Sequence, residues 1–563
     1  MNQLDYIVFI GYLIGVSSYG IWVYKQKQKT EQSTTDFFLA EGALTWWAIG
    51  ASLIASNISA EQFIGMSGSG FRVGLAIAAY EWIAAISLII VAVFFMPIYL
   101  KNRIFTMPQF LKIRYNETVA LIMAIFWLFL YIIVNLTAIL YLGALAINDL
   151  LDGENLQMVI IALALFATII TIGGMKVIGY TDVIQVVVLI IGGLATTYMA
   201  LTLVSEQFGL GRDAFAGLRM LMENASSHFK MMFPKPTPEA TQVDIDRYRE
   251  LPGIAMYTIG GMWVANLNYW GCNQYITQRA LGADLNTART GILFAGFLKL
   301  LMPVIVVLPG IAAYVIHQQG GLQTEMLVGD KVVVDKAYAG ILTFLPNGLK
   351  GLSMAALTAA IVASLAGKAN SISTIFTLDI YKRYIEPEAG ERKLVWVGRI
   401  AIFAAMLMAI GLTWNDTLNI GGEGGFTFIQ KYTGYISPGV FAIFILGMFW
   451  KRTTGAAAIV GVLSGFLLSV FFNEFAPTVW GTETFLYTAY PTGTGSYEIP
   501  FLNCMGLAFW LTVGLMVVIS LAGPKDNPKA FEVDASMFRV SPTIMAMIVG
   551  ILAILSAIYV KFW

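Results

Sequence analysis

Fourteen apolar stretches of about 20 residues, each long enough to cross a hydrocarbon core of about 30 Å, constrain this chain more than any other feature. They run approximately 4–24, 46–70, 73–100, 118–149, 155–173, 178–204 and 252–275, then 288–317, 350–381, 393–413, 425–449, 455–474, 501–522 and 542–562. With 58% hydrophobic and only 12% charged residues, the 563-residue chain has too few charges to cover the surface of a water-soluble fold. The expectation is an all-α integral membrane protein with 14 transmembrane helices. The first stretch has no basic leader and no small-residue cleavage site, so it is expected to be a retained helix.

The loops supply an independent test of that count, because Lys and Arg collect on cytoplasmic connections. Alternate connections carry Lys25, Lys27 and Lys29; Lys101, Arg103, Lys112 and Arg114; Lys176; then Arg279 and Arg289. The series continues with Lys382, Arg383, Arg392 and Lys393, then Lys451 and Arg452, then Lys525, Lys529 and Arg539. Intervening connections such as "NDLLDGEN" and "NEFAPTVWGTET" are acidic or polar. Multi-pass insertion in the cell membrane with both termini outside follows.

Several function classes are disfavoured. The longest extramembrane segment, 205–251, is too short for an enzyme domain, and Lys plus Arg (34) balance Asp plus Glu (34), giving no electrostatic footprint for nucleic acid. "AGKANS" lacks the preceding glycine and the following Ser or Thr of a phosphate loop. Two histidines, His228 and His317, and two cysteines in apolar stretches, Cys272 and Cys504, argue against zinc and against a disulfide framework.

Two spans are interrupted by polar residues. "GASLIASNISAEQFIGMSGSG" places Ser56, Asn57, Ser59, Glu61 and Gln62 inside the second span, and "GGMWVANLNYWGCNQY" places Asn266, Asn268 and Asn273 inside the seventh. Freed backbone carbonyls are tolerated at membrane depth where they line a cavity or bind something. Each interrupted span opens a run of five, 46–204 and 252–449, and the two runs start from opposite sides of the membrane. This is the pattern of an inverted repeat in a secondary transporter. The competing reading is that the polar groups merely bridge neighbouring helices.

Ionisable groups inside spans cost about 2.5–3.5 kcal/mol each on insertion scales, so each needs a purpose. Glu61, Glu81, Asp182, Lys299 and Lys368 are the candidates, whereas Lys431 sits near a span end where it can snorkel. A carboxylate, a lysine, the amides Gln62, Asn266 and Gln430, and the rings of Tyr269 and Trp270 suit a polyhydroxylated ligand. Hydroxyls donate and accept, and sugar C–H faces stack on aromatic rings. The same set could serve an amino acid.

At these residues the chain resembles the sodium:solute symporter family, in its sodium/sugar cotransporter branch. The resemblance covers nearly the whole chain and is densest in "WWAIGASLIASNISAEQFIGMSGSG", "AAYEWIAA", "WVANLNYWGCNQYITQR", "FLKLLMPVIVVLPGIAAYVI", "NSISTIFTLDIYKRY" and "YTGYISPGVFAIFILGMFWKRTT". It implies a LeuT-type fold of 5+5 inverted repeats with discontinuous helices, and sodium-driven uptake of a glucose- or galactose-like monosaccharide by alternating access. The implied organisation is an extra helix and linker over 1–45, repeats over 46–204 and 252–449 separated by an extracellular loop over 205–251, and three C-terminal helices over 450–563. The implied sugar site is Gln62, Glu81, Asn266, Lys299 and Gln430, with Tyr269 as inner gate and Met66, Tyr80 and Phe426 as outer gate. The implied sodium site is Ala55, Ile58, Ala360, Ala363 and Ser364.

Two departures from the family pattern stand out. Ala84 stands where a galactose-carrying member has a serine, which bears on the preferred hexose. Ala363 replaces one of two adjacent hydroxyls, and a hard cation deprived of an oxygen ligand binds less well. Lys368 follows Ser364 by four residues, on the same helical face, and Asp182 matches the family's aspartate near the sodium exit route. Asp182 is a candidate partner for Lys368. Two couplings remain open: sodium binding through the remaining oxygens, or proton-coupled or ion-independent transport with the Lys368 ammonium in place of sodium. A sugar-binding membrane sensor is the alternative function class.

Overall fold

The computed structural model describes residues 2–27, 44–151, 155–328, 331–415, 418, 420, 425–480, 488–492 and 495–563. Lys29 and part of each of the two quoted polar connections lie outside them. Among the described residues ten helices are long and apolar enough to cross a bilayer, and eleven if Phe428–Gly434 and Ser437–Phe449, bent by 51°, form one span. Among the described residues the β-structure is two short hairpins, Leu327–Val328 with Lys331–Val332 and Tyr490–Pro491 with Tyr497–Glu498.

The fourteen expected stretches all contain helix among the described residues, but the second, third, fifth and seventh differ from the simple span. The second and third follow one another so closely that Glu61–Lys101 is one apolar helical run. It is interrupted at Gly74, whose φ of +84° and whose approach to the His228 carbonyl, 2.3 Å from where a Cβ would stand, require glycine. The fifth, Leu156–Ile172, has 17 residues. The seventh is divided into Gly261–Cys272 and Gln274–Leu281, with Asn273 extended between them.

The chain forms two compact units, neither of them continuous in sequence: 1–78, 126–229 and 278–429 in the first, 79–125, 230–277 and 430–563 in the second. In the first, helix Leu349–Thr374 packs against Gln3–Lys27, Trp46–Asn57, Thr137–Leu150, Leu156–Ile172, Met175–Gln207 and Glu391–Thr413. Its run of Ala, Gly and Ser makes this possible, since small side chains let helix backbones approach closely inside a membrane. A Cβ on Gly192 would stand 2.7 Å from the Ala356 Cβ, and Thr196 and Ser353 share a hydrogen bond of 2.7 Å. The Asp5 carboxylate accepts from the Gly348 and Gly351 amides at 2.6 and 3.0 Å, capping the start of this central helix. Exposed Ile7, Ile14, Ile169 and Phe403 line the unit's outer side, where lipid replaces water as the contacting solvent.

In the second unit, helix Gly261–Cys272 packs against Ala79–Ile90, Ser437–Phe449 and Phe501–Leu521. Buried Arg114 donates to the carbonyls of Gly447, Thr453 and Trp450 at 2.7, 3.0 and 3.0 Å, and Tyr115 donates to Ile443 at 2.6 Å. Arg114 thus satisfies carbonyls at and beyond the end of Ser437–Phe449. The sequence places it among solvated loop charges. Its burial follows from those orphan carbonyls, which a guanidinium fork can satisfy together.

Candidate functional site

The interruption expected in the second span falls where the polar residues lie. Helix Trp46–Asn57 ends at Ile58, which is extended (φ −79°, ψ 109°), and helical winding resumes at Glu61. Ser59 and Gln62 organise the restart: the Glu61 amide donates to Ser59 Oγ at 3.3 Å, and the Ser59 amide donates to Gln62 Oε1 at 2.9 Å. The Gln62 half of this arrangement is that of a capping box, while the Ser59 hydroxyl takes the amide one residue earlier. The arrangement commits the Gln62 carbonyl oxygen to the helix, while the amide nitrogen donates to Glu61 Oε1 at 3.5 Å.

A helix that stops releases its last carbonyls from their usual donors. Here the hydroxyl of Ser364 lies 3.4 Å from the Ala55 carbonyl oxygen, 2.8 Å from that of Ser56 and 3.3 Å from that of Ile58. One hydroxyl proton serves one acceptor at a time, so four oxygens converge with fewer protons than lone pairs can take. Convergent neutral oxygens around a point form a cradle for a hard cation. Ala360 and Ala363 are both buried on the same helix, and Ala363 adds no oxygen from its side chain.

Charged groups surround this cradle. Arg279 donates from Nε to Ser52 Oγ at 2.9 Å and from Nη2 to Ser56 Oγ, and its Nη2 lies 3.8 Å from Asp182 Oδ2. Ser52 also donates to Asp182 Oδ2. Asp182 is therefore the partner of Arg279, not of Lys368. The charged groups acting on buried Lys368 are the Glu61 carboxylate and the Arg279 guanidinium. The expected pairing fails because the guanidinium reaches Asp182 and both serines together, and the carboxylate whose charge acts on Lys368 is that of Glu61.

Of the residues expected to contact a ligand, Gln62, Met66, Lys299 and Phe426 belong to the first unit, and Tyr80, Glu81, Asn266, Tyr269, Trp270 and Gln430 to the second. Lys299 is buried and donates to the Asn57 side-chain oxygen. A Cβ on Gly65 would stand 2.7 Å from both the amide nitrogen and the Cβ of Phe426, which brings Met66 and Phe426 onto adjoining backbone. In the second unit Asn266 donates to the Met262 carbonyl at 3.1 Å, and Asn268 to Ser437 Oγ at 3.0 Å. Tyr269 stands edge-on to Trp270 and to Tyr275, with centroids 5.1 and 5.7 Å apart, and accepts the Tyr275 hydroxyl proton. Glu81, Tyr80 and Trp270 are buried, whereas Gln430 is half-buried.

The sodium:solute symporter family model matches residues 37–465. The chain belongs to that family. A sodium/glucose cotransporter of Vibrio parahaemolyticus is 44% identical over 574 aligned positions, covering 100% of this chain and 99% of the relative. A sodium/myo-inositol cotransporter 2 of Mus musculus is 34% identical over 84% of this chain and 70% of its own length. The structure of a Na+-coupled sialic acid symporter superposes with a TM-score of 0.75 at 21% identity, covering 93% of this chain and 99% of that one, which shows a shared fold. As a family member the chain is a multi-pass membrane transporter and not an enzyme.

For a sodium:solute symporter, the convergence of Ala55, Ile58 and Ser364 is the part of the expected ion site that side-chain and carbonyl geometry bring together, and the Ser56 carbonyl joins it. Sequence reasoning missed the Ser56 carbonyl, the Asn57 contact to Lys299, the Tyr275 contact to Tyr269, and Arg279. Arg279 was legible only as a basic residue soon after a broken helix. Its 1% exposure shows that it is an interior group rather than a loop charge.

Proposed function

We propose that the chain is a sodium-coupled symporter that carries a glucose- or galactose-like monosaccharide into the cell by alternating access. In this reading it crosses the cell membrane fourteen times with both termini outside, in a LeuT-type arrangement. The inverted five-helix repeats span 46–204 and 252–449, the segment 205–251 is an extracellular loop, and 1–45 and 450–563 are additions. Gln62, Glu81, Asn266, Lys299 and Gln430 bind the sugar hydroxyls, and Tyr269 and Trp270 offer rings to its C–H faces. Tyr269 is the inner gate; Met66, Tyr80 and Phe426 are the outer one.

Sodium binds between the carbonyls of Ala55, Ile58 and Ala360 and the Ser364 hydroxyl, through a site weakened by Ala363. The observation that carries this reading is the Ser364 hydroxyl resting on three carbonyls of a broken helix. The full-length likeness to a sodium/glucose cotransporter supports the choice of solute. Lys368, with Glu61 as its carboxylate neighbour, leaves the cradle to sodium instead of taking the ion's place, and Asp182 serves the ion route through Arg279.

Reconstituted protein, tested for hexose uptake with an inward sodium gradient and with choline in its place, is expected to accumulate sugar only with sodium. Equal accumulation in choline, or accumulation driven by a pH gradient alone, would overturn the coupling. Saturable hexose binding without gradient-driven accumulation would instead indicate a sensor.

A further inference from the structure

Arg279 does something that neither sugar recognition nor sodium ligation requires. Its guanidinium carries several donors fixed in one plane, and here they are spread over one face of helix Trp46–Asn57. Nε meets Ser52 and Nη2 meets Ser56, residues four apart and hence stacked on successive turns. Asp182, on helix Met175–Gln207, accepts from Ser52 and lies 3.8 Å from Nη2. Ser56 is therefore held by its side chain, while its carbonyl receives the Ser364 hydroxyl at 2.8 Å. The opposite wall is Gly367, three residues beyond Ser364. A Cβ there would stand 2.5 Å from Arg279 Nη2 and 3.1 Å from Ser56 Oγ, so the guanidinium occupies space that only glycine leaves open.

We propose that Arg279 is a positioning residue for sodium: its grip on Ser52 and Ser56 sets where the broken helix ends, and thereby the spacing between the carbonyl cradle and Ser364. The inference rests on the sodium reading of that cradle. A lysine cannot take the role, because a single ammonium on a flexible stem does not hold two hydroxyls and a carboxylate in one plane. A cation beside a cation site carries a repulsive cost, and Asp182 against the guanidinium cancels the charge while leaving the geometry in place. The Glu61 carboxylate likewise opposes the charge of Lys368.

The test measures the sodium half-saturation of sugar uptake in proteoliposomes, and the sugar KM at saturating sodium, for Arg279→Lys, Ser56→Ala, Gly367→Ala and Ser364→Ala. Arg279→Lys and Gly367→Ala, the second displacing the guanidinium without changing charge, are expected to raise the sodium half-saturation about tenfold. The sugar KM is expected to stay within about twofold, a split that a general loss of fold does not produce. Ser56→Ala shifts sodium in the same direction, and combining it with Arg279→Lys adds less than the two single effects together, because both break one contact. If Arg279→Lys does not fold, Gly367→Ala and Ser56→Ala decide the matter. Unchanged sodium half-saturation in the variants recovered, with a raised value in Ser364→Ala, overturns the positioning role and leaves the sodium reading intact. An unchanged value in Ser364→Ala overturns the sodium reading itself.

Discussion

Replacing Ser364 by alanine removes the side-chain oxygen that stands 2.8, 3.3 and 3.4 Å from the carbonyl oxygens of Ser56, Ile58 and Ala55. Because Ala363 contributes no hydroxyl, Ser364→Ala leaves this stretch of the helix with carbonyls alone. An interaction of a polar group with a charge inside a protein contributes about 1.5–3 kcal/mol, which corresponds to about 10- to 150-fold in affinity. Part of this is offset, since the sodium-free protein also loses the hydroxyl that donates to the Ser56 carbonyl, and an unsatisfied buried acceptor costs about 1–3 kcal/mol. The expected net result is a sodium half-saturation raised about tenfold, with a smaller sodium-dependent gain in thermal stability and no change in maximal uptake at saturating sodium. The assays are uptake into proteoliposomes against sodium concentration and thermal unfolding in sodium against choline. A half-saturation within about twofold of the parent and an undiminished sodium-dependent stabilisation would refute the assignment of this cradle to the ion.

The converse substitution, Ala363→Ser, is expected to strengthen sodium binding by about 0.5–1.5 kcal/mol, read as a half-saturation lowered about 2- to 10-fold in the same uptake assay. Lys368→Met removes the ammonium on which the Glu61 carboxylate acts and is expected to lower the unfolding midpoint in sodium-free medium; combining it with Glu61→Gln recovers most of that loss, and full additivity of the two changes would deny their coupling. Arg114→Met removes three hydrogen bonds to buried carbonyls and is expected to cost at least about 3 kcal/mol, checked by the unfolding midpoint of the detergent-solubilised protein. Asp284 caps helix Leu285–Gln318 through the Asn286 and Thr287 amides, and hydrogen bonds from Thr287 hold its carboxyl below the usual aspartate value. Asp284→Ala is expected to cost about 1 kcal/mol. That contribution is present above the ordinary aspartate value and lost as pH falls through the lowered one, so parent and variant should converge in strongly acidic unfolding experiments.

The helices were legible because a bilayer admits so few solutions: a backbone without water must satisfy its own hydrogen bonds, and an apolar run of span length has no other cheap conformation. The breaks were legible for the complementary reason, that Ser56, Asn57, Ser59 and Asn273 carry groups that compete with the helical ladder and crowd together within otherwise apolar spans. Span boundaries blurred where two stretches share one helical run, as at Glu61–Lys101, since hydropathy has no sign for a turn that a single glycine makes at Gly74.

Pairing of charges was not legible. Lys368 was recognisable as a buried ammonium from its position one turn past Ser364. Asp182 was its nearest candidate in chemistry, yet in the folded chain Asp182 meets Arg279, and the carboxylate whose charge acts on Lys368 is that of Glu61. Which carboxylate reaches which cation depends on the rotation of helices distant in sequence about their own axes, and no periodicity within either helix encodes that angle. Arg114 and Arg279 show the same limit, since a basic residue beside an apolar span has one composition whether it points to water or into orphan carbonyls.

The sequence by itself determined that this chain lives in a membrane, where its helices break and which face of helix Leu349–Thr374 carries Ser364 and Lys368, because solvent and helical period act locally. Only the tertiary structure decided that Ser364 rests on three carbonyls of another helix and that Arg279 holds the residue between them. Those are contacts across more than 200 positions of chain, set by close packing of small residues and by the need of each buried polar group for a partner.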